Sequence, residues 1–193
     1  MKERGMIFNA EMVRAILDGR KTQTRRTVKP QPDEDGLAKE TNGPWVDTSE
    51  RNYRCPFGDV GDRIWVRETW AEAGASAPDL KLYRANYPEH VPSHYENVPP
   101  ANEIRWTPSI HMPRWASRIL LEITDVRVER LNSISEEDAG KEGYPADPAP
   151  FGGYMDKWLW FRQLWDGIYP EQSFKHNPWV WVIEFKVVNC GGD

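Results

Sequence analysis

The most regular stretch of this 193-residue chain is an apolar segment near its C-terminus, at residues 179–188. Successive side chains of a strand point to opposite faces, so alternate residues share a face. One face would carry Trp179, Trp181, Ile183, Phe185 and Val187, and the other two valines, then Glu, Lys and Val. This alternation predicts a β-strand, and any fold proposed for the chain must therefore contain a sheet.

The rest of the chain predicts a mixture of strands and helices without strict β-α-β alternation. β-Branched and alternating residues predict strands at residues 22–28, 63–70, 80–85 and 119–131, the last with a bulge near Asp125. Apolar residues at helical spacing and capping residues predict helices at 10–18, 135–142 and 156–167. This order favours an α+β fold, a small mixed barrel of about five or six strands with flanking helices.

Proline-rich segments separate these predicted elements. Sixteen prolines and ten tryptophans are present, and the prolines concentrate between the elements, which implies long loops. We predict one domain at residues 1–188 with insertions at about 29–58, 71–116 and 143–155, followed by a flexible tail at 189–193. Since Trp is costly to expose and seldom wholly buried, the tryptophans should be divided between a core and a binding surface.

Composition argues against several classes of protein. No stretch approaches the roughly 20 apolar residues of a membrane span, and the N-terminus has no apolar run of signal-peptide length. A cytoplasmic protein without a membrane partner is expected. Cys55 and Cys190 are predicted to be incidental thiols. His90 and His94 have the spacing of a helical metal pair, but Pro92 lies between them, and no metal or cofactor is predicted.

A basic cluster interrupts this acidic chain, whose formal net charge is −5. Five basic residues fall between Arg20 and Lys29, with threonines among them. The cluster could be a solvated strand edge, an anion site or a chemical site. Lys21 and Thr24 would point to opposite faces of a flat strand. They can meet only if Lys21 belongs to the turn, where Gly19 permits an unusual backbone angle.

A second basic segment, at residues 105–118, mixes three arginines and a histidine with two tryptophans. Aromatic planes next to guanidinium groups suit single-stranded nucleic acid, since bases stack and phosphates pair. Alternatively, the segment is a loop that folds its tryptophans into the core.

The sequence Gly-Arg-Lys-Thr-Gln-Thr-Arg-Arg at residues 19–26 resembles the signature of the ASCH domain, a family with a PUA-like β-barrel. The order of the later elements is similar, from Gly61-Asp62 through the acidic helix to the closing strand. The match covers roughly half of the chain, and the long Trp- and Pro-rich segments are similar to ASCH proteins of phages and prophages.

Small bacterial members of the family include N4-acetylcytidine amidohydrolases, which use a Lys, a Thr and a Glu. The resemblance implies Lys21 as proton acceptor, Thr24 as nucleophile and Glu142 as proton donor, with Glu136 or Glu137 as alternatives to Glu142. Substrate-binding roles are assigned to Arg20, Arg26, Arg114 and Trp115. The implied partner is a nucleoside or RNA.

This chemistry makes physical demands on the three catalytic candidates. A Thr hydroxyl needs a base to take its proton, and a Lys serves only if its pKa falls towards roughly 7–8. Burial of Lys21 or nearby arginines would lower it, and Glu142 would need a dry environment to hold a proton. Alternatively, Lys21 and Glu142 form a structural ion pair on the barrel rim.

Two other functions remain open at this stage. One is an RNA-binding PUA-like module, with or without ribonuclease activity, whose binding would weaken steeply as salt rises. The other is a phage-encoded interaction protein that presents its Trp-rich loops to a host protein.

Overall fold

The computed structural model describes residues 1–147 and 155–190, with the side chains of residues 189 and 190 left aside. Within them the chain forms three α-helices and ten strands, besides short 3₁₀ turns. In chain order they are β1 (Glu3–Ile7), α1 (Ala10–Leu17), β2 (Gln23–Thr27), β3 (Ala38–Lys39), β4 (Trp45–Val46), β5 (Asn52–Tyr53), β6 (Arg63–Arg67), β7 (Trp70–Glu72), β8 (Lys81–Tyr83), β9 (Ile119–Arg130), α2 (Glu136–Lys141), α3 (Asp156–Ile168) and β10 (Trp179–Cys190).

The principal sheet has five strands in the order β1-β6-β9-β10-β2. Only β1 and β6 run parallel within it, and the remaining pairs are antiparallel. The predicted α+β class is confirmed. The ladder between β9 and β10 shifts register around Thr124, next to the predicted bulge at Asp125.

The sheet is not closed into a barrel by hydrogen bonds between strands, as far as the described residues extend. Its two edge strands instead meet through one side chain, since Arg26 Nη2 of β2 donates to the carbonyl oxygen of Ile7 in β1 at 3.0 Å. The lack of pairing between β1 and β2 has a local cause. Asn9 accepts a hydrogen bond from Met12 N at 2.9 Å and so begins α1, which takes the chain away from the sheet directly after β1.

Two apolar cores cover the two faces of β10, as its alternation predicts. Trp181, Ile183 and Phe185 pack into a cluster that includes residues of α1, β6 and β9. Val180 and Val182 pack on the opposite side, with the buried aromatic residues of α3. The predicted helix at 156–167 is observed with Phe161 and Trp165 buried, as expected from its apolar stripe.

The insertions contain more regular structure than expected. Residues 29–58 include the three-stranded sheet β3-β4-β5, and β7 and β8 form a hairpin in the second insertion. The strand predicted at 63–70 is interrupted at Glu68, a buried side chain that accepts two hydrogen bonds from Arg118, at 2.9 and 3.1 Å.

The described residues contain no helix with the length and apolar character needed to cross a bilayer. Of the residues assigned to a flexible tail, 189 and 190 lie in β10, whereas 191–193 lie outside the described residues. Residues 148–154 of the third predicted insertion also lie outside them.

Candidate active site

Lys21 lies in the bend that the sequence analysis required. α1 ends at Leu17, Gly19 has a φ of 73°, and the backbone N–H of Lys21 donates to the carbonyl oxygen of Ala15 at 3.0 Å. Lys21 thus precedes β2, and it pairs with Glu142 through an isolated β-bridge. This backbone path lets Lys21 and Thr24 line the same pocket.

Lys21 and Glu142 form a buried ion pair, although they are 121 residues apart in sequence. Each is only 3% exposed. Lys21 Nζ donates to Glu142 Oε2 at 2.8 Å and to the Glu142 carbonyl oxygen at 2.9 Å. Glu142 is the C-cap residue of α2, whose N-cap Ser135 accepts from Asp138 N. The acidic helix therefore presents its last residue to the lysine.

Arg25 contacts the other oxygen of the same carboxylate. Its Nη1 donates to Glu142 Oε1 at 3.0 Å and to Gln23 Oε1 at 3.1 Å. Its Nη2 lies 3.4 Å from Glu129 Oε2 and 3.6 Å from Asp138 Oδ2. Glu142 is thus held between two cations, and Arg25 joins the site to a wider network of acids.

That network continues around Arg127 on β9. Its guanidinium forms ion pairs with Asp125, Glu129, Asp138 and Glu184, at 2.6–3.2 Å. These side chains lie on the sheet face that α2 and α3 cover. Two of these acids, Glu129 and Asp138, also bind Arg25 and so fix the direction of its guanidinium towards Glu142.

Burial is the largest influence on Lys21 and lowers its pKa below the usual 10.5. The charge of Glu142 and its hydrogen bond act in the opposite direction, while Arg26 and Arg25 lower the pKa further. The net direction is downward because desolvation of the ammonium outweighs the single carboxylate. Lys21 consequently loses its proton more easily than an exposed lysine.

Lys21, Thr24 and Glu142 line a pocket of about 290 Å³ between the edge strands β1 and β2 and helix α3. Arg25 and Arg26 line it as well. The remaining walls are largely apolar or aromatic, formed by Ile7, Phe8, Asn9, Met12, Phe161, Leu164, Trp165, Ile168 and Tyr169. The structure therefore brings the three predicted catalytic side chains and one predicted binding residue to one pocket.

Of the predicted substrate-binding residues, only Arg26 lines this pocket. Arg20 forms an ion pair with Asp18 and donates to the carbonyl oxygens of Gly143 and Tyr144, at 3.2 and 2.8 Å. It fastens the end of α1 to the end of α2.

Arg114 and Trp115 lie elsewhere. Arg114 Nε donates to Glu3 Oε2 at 2.9 Å. Glu3 lies at the opposite end of β1 from the pocket-lining Ile7, four strand positions or about 13 Å away. Trp115 is 60% exposed, with its ring packed edge-on against Trp70. Trp106, the other tryptophan of the 105–118 segment, is half-buried, so neither of the two lies in a core.

Other chemistry-bearing side chains are engaged in the fold. Both ring nitrogens of His90 have backbone partners, Tyr83 N and Asn86 O, at 3.1 and 3.2 Å. Residues 1–147 and 155–190 contain no group of three or more His, Cys, Asp or Glu that could hold a metal ion. Cys55 is buried, and burial raises the pKa of its thiol to about 11.

The role of Arg25 and of the acids that bind it was not predicted from the sequence, where the arginines near Lys21 were expected only to lower its pKa. A usable signal was present, because Gln23 and Arg25 share one face of β2, and Arg127, Glu129 and Glu184 carry charge at positions where a buried strand is otherwise apolar.

Comparisons with known proteins found no matching family model and no matching curated protein. Solved structures to which this chain is similar include the following two. One, a DUF984 protein from Enterococcus faecalis, is 11% identical, with a TM-score of 0.45, and the match covers 100% of this chain and 84% of that one. The other, an ASCH domain from Lactobacillus crispatus, is 16% identical, with a TM-score of 0.44, covering 97% of this chain and 80% of that one. At these identities and TM-scores, neither structure assigns a residue, a substrate or an activity to this chain.

Proposed function

We propose that this protein is an amidohydrolase that removes the acyl group from an N4-acylated cytidine-type nucleoside. Lys21 is the base, Thr24 the nucleophile and Glu142 the proton donor. The observation that supports this is the buried hydrogen bond of 2.8 Å between Lys21 and Glu142, in a pocket that Thr24 also lines. The resemblance of residues 19–26 to the ASCH signature suggests the substrate.

The ion pair can be converted into an acid and a base by one proton transfer. If the proton moves from Lys21 Nζ to Glu142 Oε2, the lysine becomes a neutral amine and the glutamate a neutral acid. Burial favours the neutral amine of Lys21, because desolvation penalises its charge and lowers its pKa. Proton transfer along this one hydrogen bond would thus supply both the base and the acid.

The reaction then proceeds in two balanced steps. The Thr24 hydroxyl attacks the acyl carbonyl carbon and gives its proton to the Lys21 amine. As the C–N bond breaks, Glu142 gives its proton to the departing N4, which leaves an acyl-threonine and the original ion pair. Water next attacks the ester, its proton passes to Thr24 Oγ1 through the same pair, and the carboxylic acid is released.

The rest of the pocket suits a planar, polar heterocycle. Its aromatic walls offer stacking surfaces for a base. Its volume of about 290 Å³ lies at the lower end of the ~300–1,000 Å³ typical of ligand sites. Arg26 supplies a cation for the negative charge that develops on the acyl oxygen, a role in which removal of one donor costs about 10²–10³ in kcat.

The test is hydrolysis of N4-acetylcytidine, followed by chromatography of cytidine and acetate. Thr24→Val removes the hydroxyl and keeps the branched shape, and we expect at least a thousandfold loss of kcat. Lys21→Met should lose a similar factor. Thr22→Val is the matched control, since Thr22 is exposed, lies two positions earlier and is absent from the pocket.

Folding of each variant is checked by circular dichroism and thermal unfolding. Normal turnover by folded Thr24→Val would remove the nucleophile from the proposal. Absence of turnover by the wild type, at pH values from about 6 to 9 where a tuned lysine base works, would reject the proposed substrate.

A further inference from the structure

A strip of arginine and tryptophan lies on the outer face of the β1-β6 pair, away from the catalytic candidates. In β6, Arg63, Trp65 and Arg67 are half-buried and alternate with the fully buried Ile64 and Val66. The parallel register places these three opposite Glu3, Gly5 and Ile7 of β1. We call Arg63, Trp65 and Arg67 the β6 strip.

The β6 strip packs closely against β1. A Cβ atom at Gly5 would lie 2.7 Å from Trp65 Cζ2 and 2.9 Å from Arg67 Cδ. The indole and the arginine stem therefore lie directly over the β1 backbone, which only glycine allows. The Arg67 guanidinium sits 5.5 Å from the centre of the Trp65 ring. The guanidinium therefore lies over one face of the indole.

The charges of the strip are left unneutralised. Arg25, Arg118 and Arg127 all have carboxylate partners, whereas neither Arg63 nor Arg67 has an ion-pair partner in the part of the chain that the structure describes. Their Nε atoms are also buried without a hydrogen-bond partner there, while Arg67 Nη2 donates to the carbonyl oxygen of Ile110, an acceptor without a formal charge.

The two acids opposite Arg63 in the neighbouring strands already have ion-pair partners. Glu3, opposite Arg63 in β1, binds Arg114 at 2.9 Å, and Glu122, opposite Arg63 in β9, binds Lys186 at 2.9 Å. The free positive charge therefore belongs to the strip itself and suits an anionic ligand.

One end of the strip lies next to a residue that lines the pocket. Arg67 is the register partner of Ile7, and Ile7 both lines the pocket and accepts the hydrogen bond from Arg26. Arg26, in turn, has no ion-pair partner within residues 1–147 and 155–190. Cations thus run from the pocket across the sheet, over about 13 Å from Arg67 to Arg63 at strand spacing.

We infer that the β6 strip binds a single-stranded polynucleotide, so that the acylated cytosine entering the pocket belongs to a strand rather than to a free nucleoside. Guanidinium groups pair with successive phosphates, and the Trp65 indole stacks on an unpaired base. The placement of that base in the pocket rests on the proposed function, but the binding surface does not.

The test is fluorescence anisotropy of labelled oligonucleotides, one RNA and one DNA strand of the same unmodified sequence, across a range of salt concentrations. R63Q/R67Q should weaken binding at low salt at least tenfold. It should also reduce the slope of log K against log salt by about 1.4, since each phosphate contact on a single strand contributes about 0.7.

W65L should weaken binding by about tenfold without changing that slope, because stacking carries no charge. R51Q is the control for loss of charge away from the strip, since Arg51 is an exposed arginine between β4 and β5 and its substitution removes one positive charge, half the change in R63Q/R67Q. Thermal unfolding confirms that each variant remains folded. A preference for RNA or for DNA shows which sugar the surface recognises, and strip-dependent binding of either strand supports the inference.

Equal binding by wild type and folded R63Q/R67Q would overturn the inference, whatever the nucleoside assay shows. Competition by inorganic polyphosphate together with normal binding by W65L would reduce the strip to a nonspecific anion site and overturn it too. The two proposals fail separately. R63Q/R67Q should hydrolyse free N4-acetylcytidine as the wild type does, and oligonucleotide binding that depends on the strip stands even if no nucleoside is hydrolysed.

Discussion

Glu142 is the residue on which the candidate site most depends, because two buried cations share its carboxylate. Lys21 binds one oxygen and Arg25 the other. Glu142→Gln would leave Lys21 without a counter-charge, whereas Arg25 would keep Glu129 and Asp138, and removal of one partner of a buried ion pair costs about 3–5 kcal/mol. We expect the free energy of unfolding, measured in urea, to fall by that amount.

Lys21→Met should cost less, because Arg25 continues to neutralise Glu142 in that variant. Glu137→Gln is the control on the same helix, since its side chain is 80% exposed and such changes usually stay within about 0.5 kcal/mol. Equal losses for Glu142→Gln and Lys21→Met would contradict the shared-carboxylate arrangement.

The lowered pKa of Lys21 makes stability depend on pH in the alkaline range. Between the folded-state pKa and 10.5, the unfolded chain binds more protons at this lysine than the folded chain does. Stability from this group therefore rises with pH through that window. We expect the wild type to gain stability relative to Lys21→Met as the pH approaches 10.5, measured by urea unfolding. A constant difference would contradict the shift.

At the scale of elements, the site requires α1, α2 and the turn before β2 to approach closely. Gly143 follows α2 with a φ of 107°, and a Cβ there would lie 3.0 Å from the Ala15 Cβ of α1. Gly143→Ala should therefore destabilise the protein by about 1–3 kcal/mol, the usual cost of a strained backbone position, and lower the activity.

Gly167→Ala is the matched substitution within α3. Gly167 lies within a helix, and no heavy atom lies within 4 Å of the added Cβ. We expect it to stabilise the protein by about 0.5–1 kcal/mol. Thermal unfolding compares the two variants, and similar losses for both would argue against the packing of α2 on α1.

Sequence reasoning succeeded where one element carries its own signal. Asn9 and Gly19 mark the ends of α1, and the alternation of β10 reflects a core on each face. It failed where the local structure depends on a residue far away in the sequence. The break at Glu68 depends on Arg118, 50 residues later, and no local pattern reveals that β1 runs parallel to β6. The same holds for Arg114 and Trp115, which the fold places away from the pocket.

Across the whole molecule, stability should be greatest along the two central strands. β9 and β10 each have 12 residues and are paired on both sides, whereas β3, β4 and β5 have two residues each. Backbone amides open with free energies from near zero up to the global value, according to such local support.

Hydrogen exchange followed by mass spectrometry should therefore find the slowest amides in β9 and β10 and much faster exchange at residues 38–53. Uniform protection across both regions would show that the small sheet is as firmly packed as the large one.

The single bond between Arg26 and Ile7 gives the pocket an adjustable width. A ladder of backbone bonds would fix the distance between β1 and β2, whereas one guanidinium–carbonyl bond can be exchanged for water at a net cost of about 1 kcal/mol. The two edge strands can then part while every strand keeps the neighbour it already has. We expect a bulky ligand to enter and leave the pocket by this route without any change in the rest of the sheet.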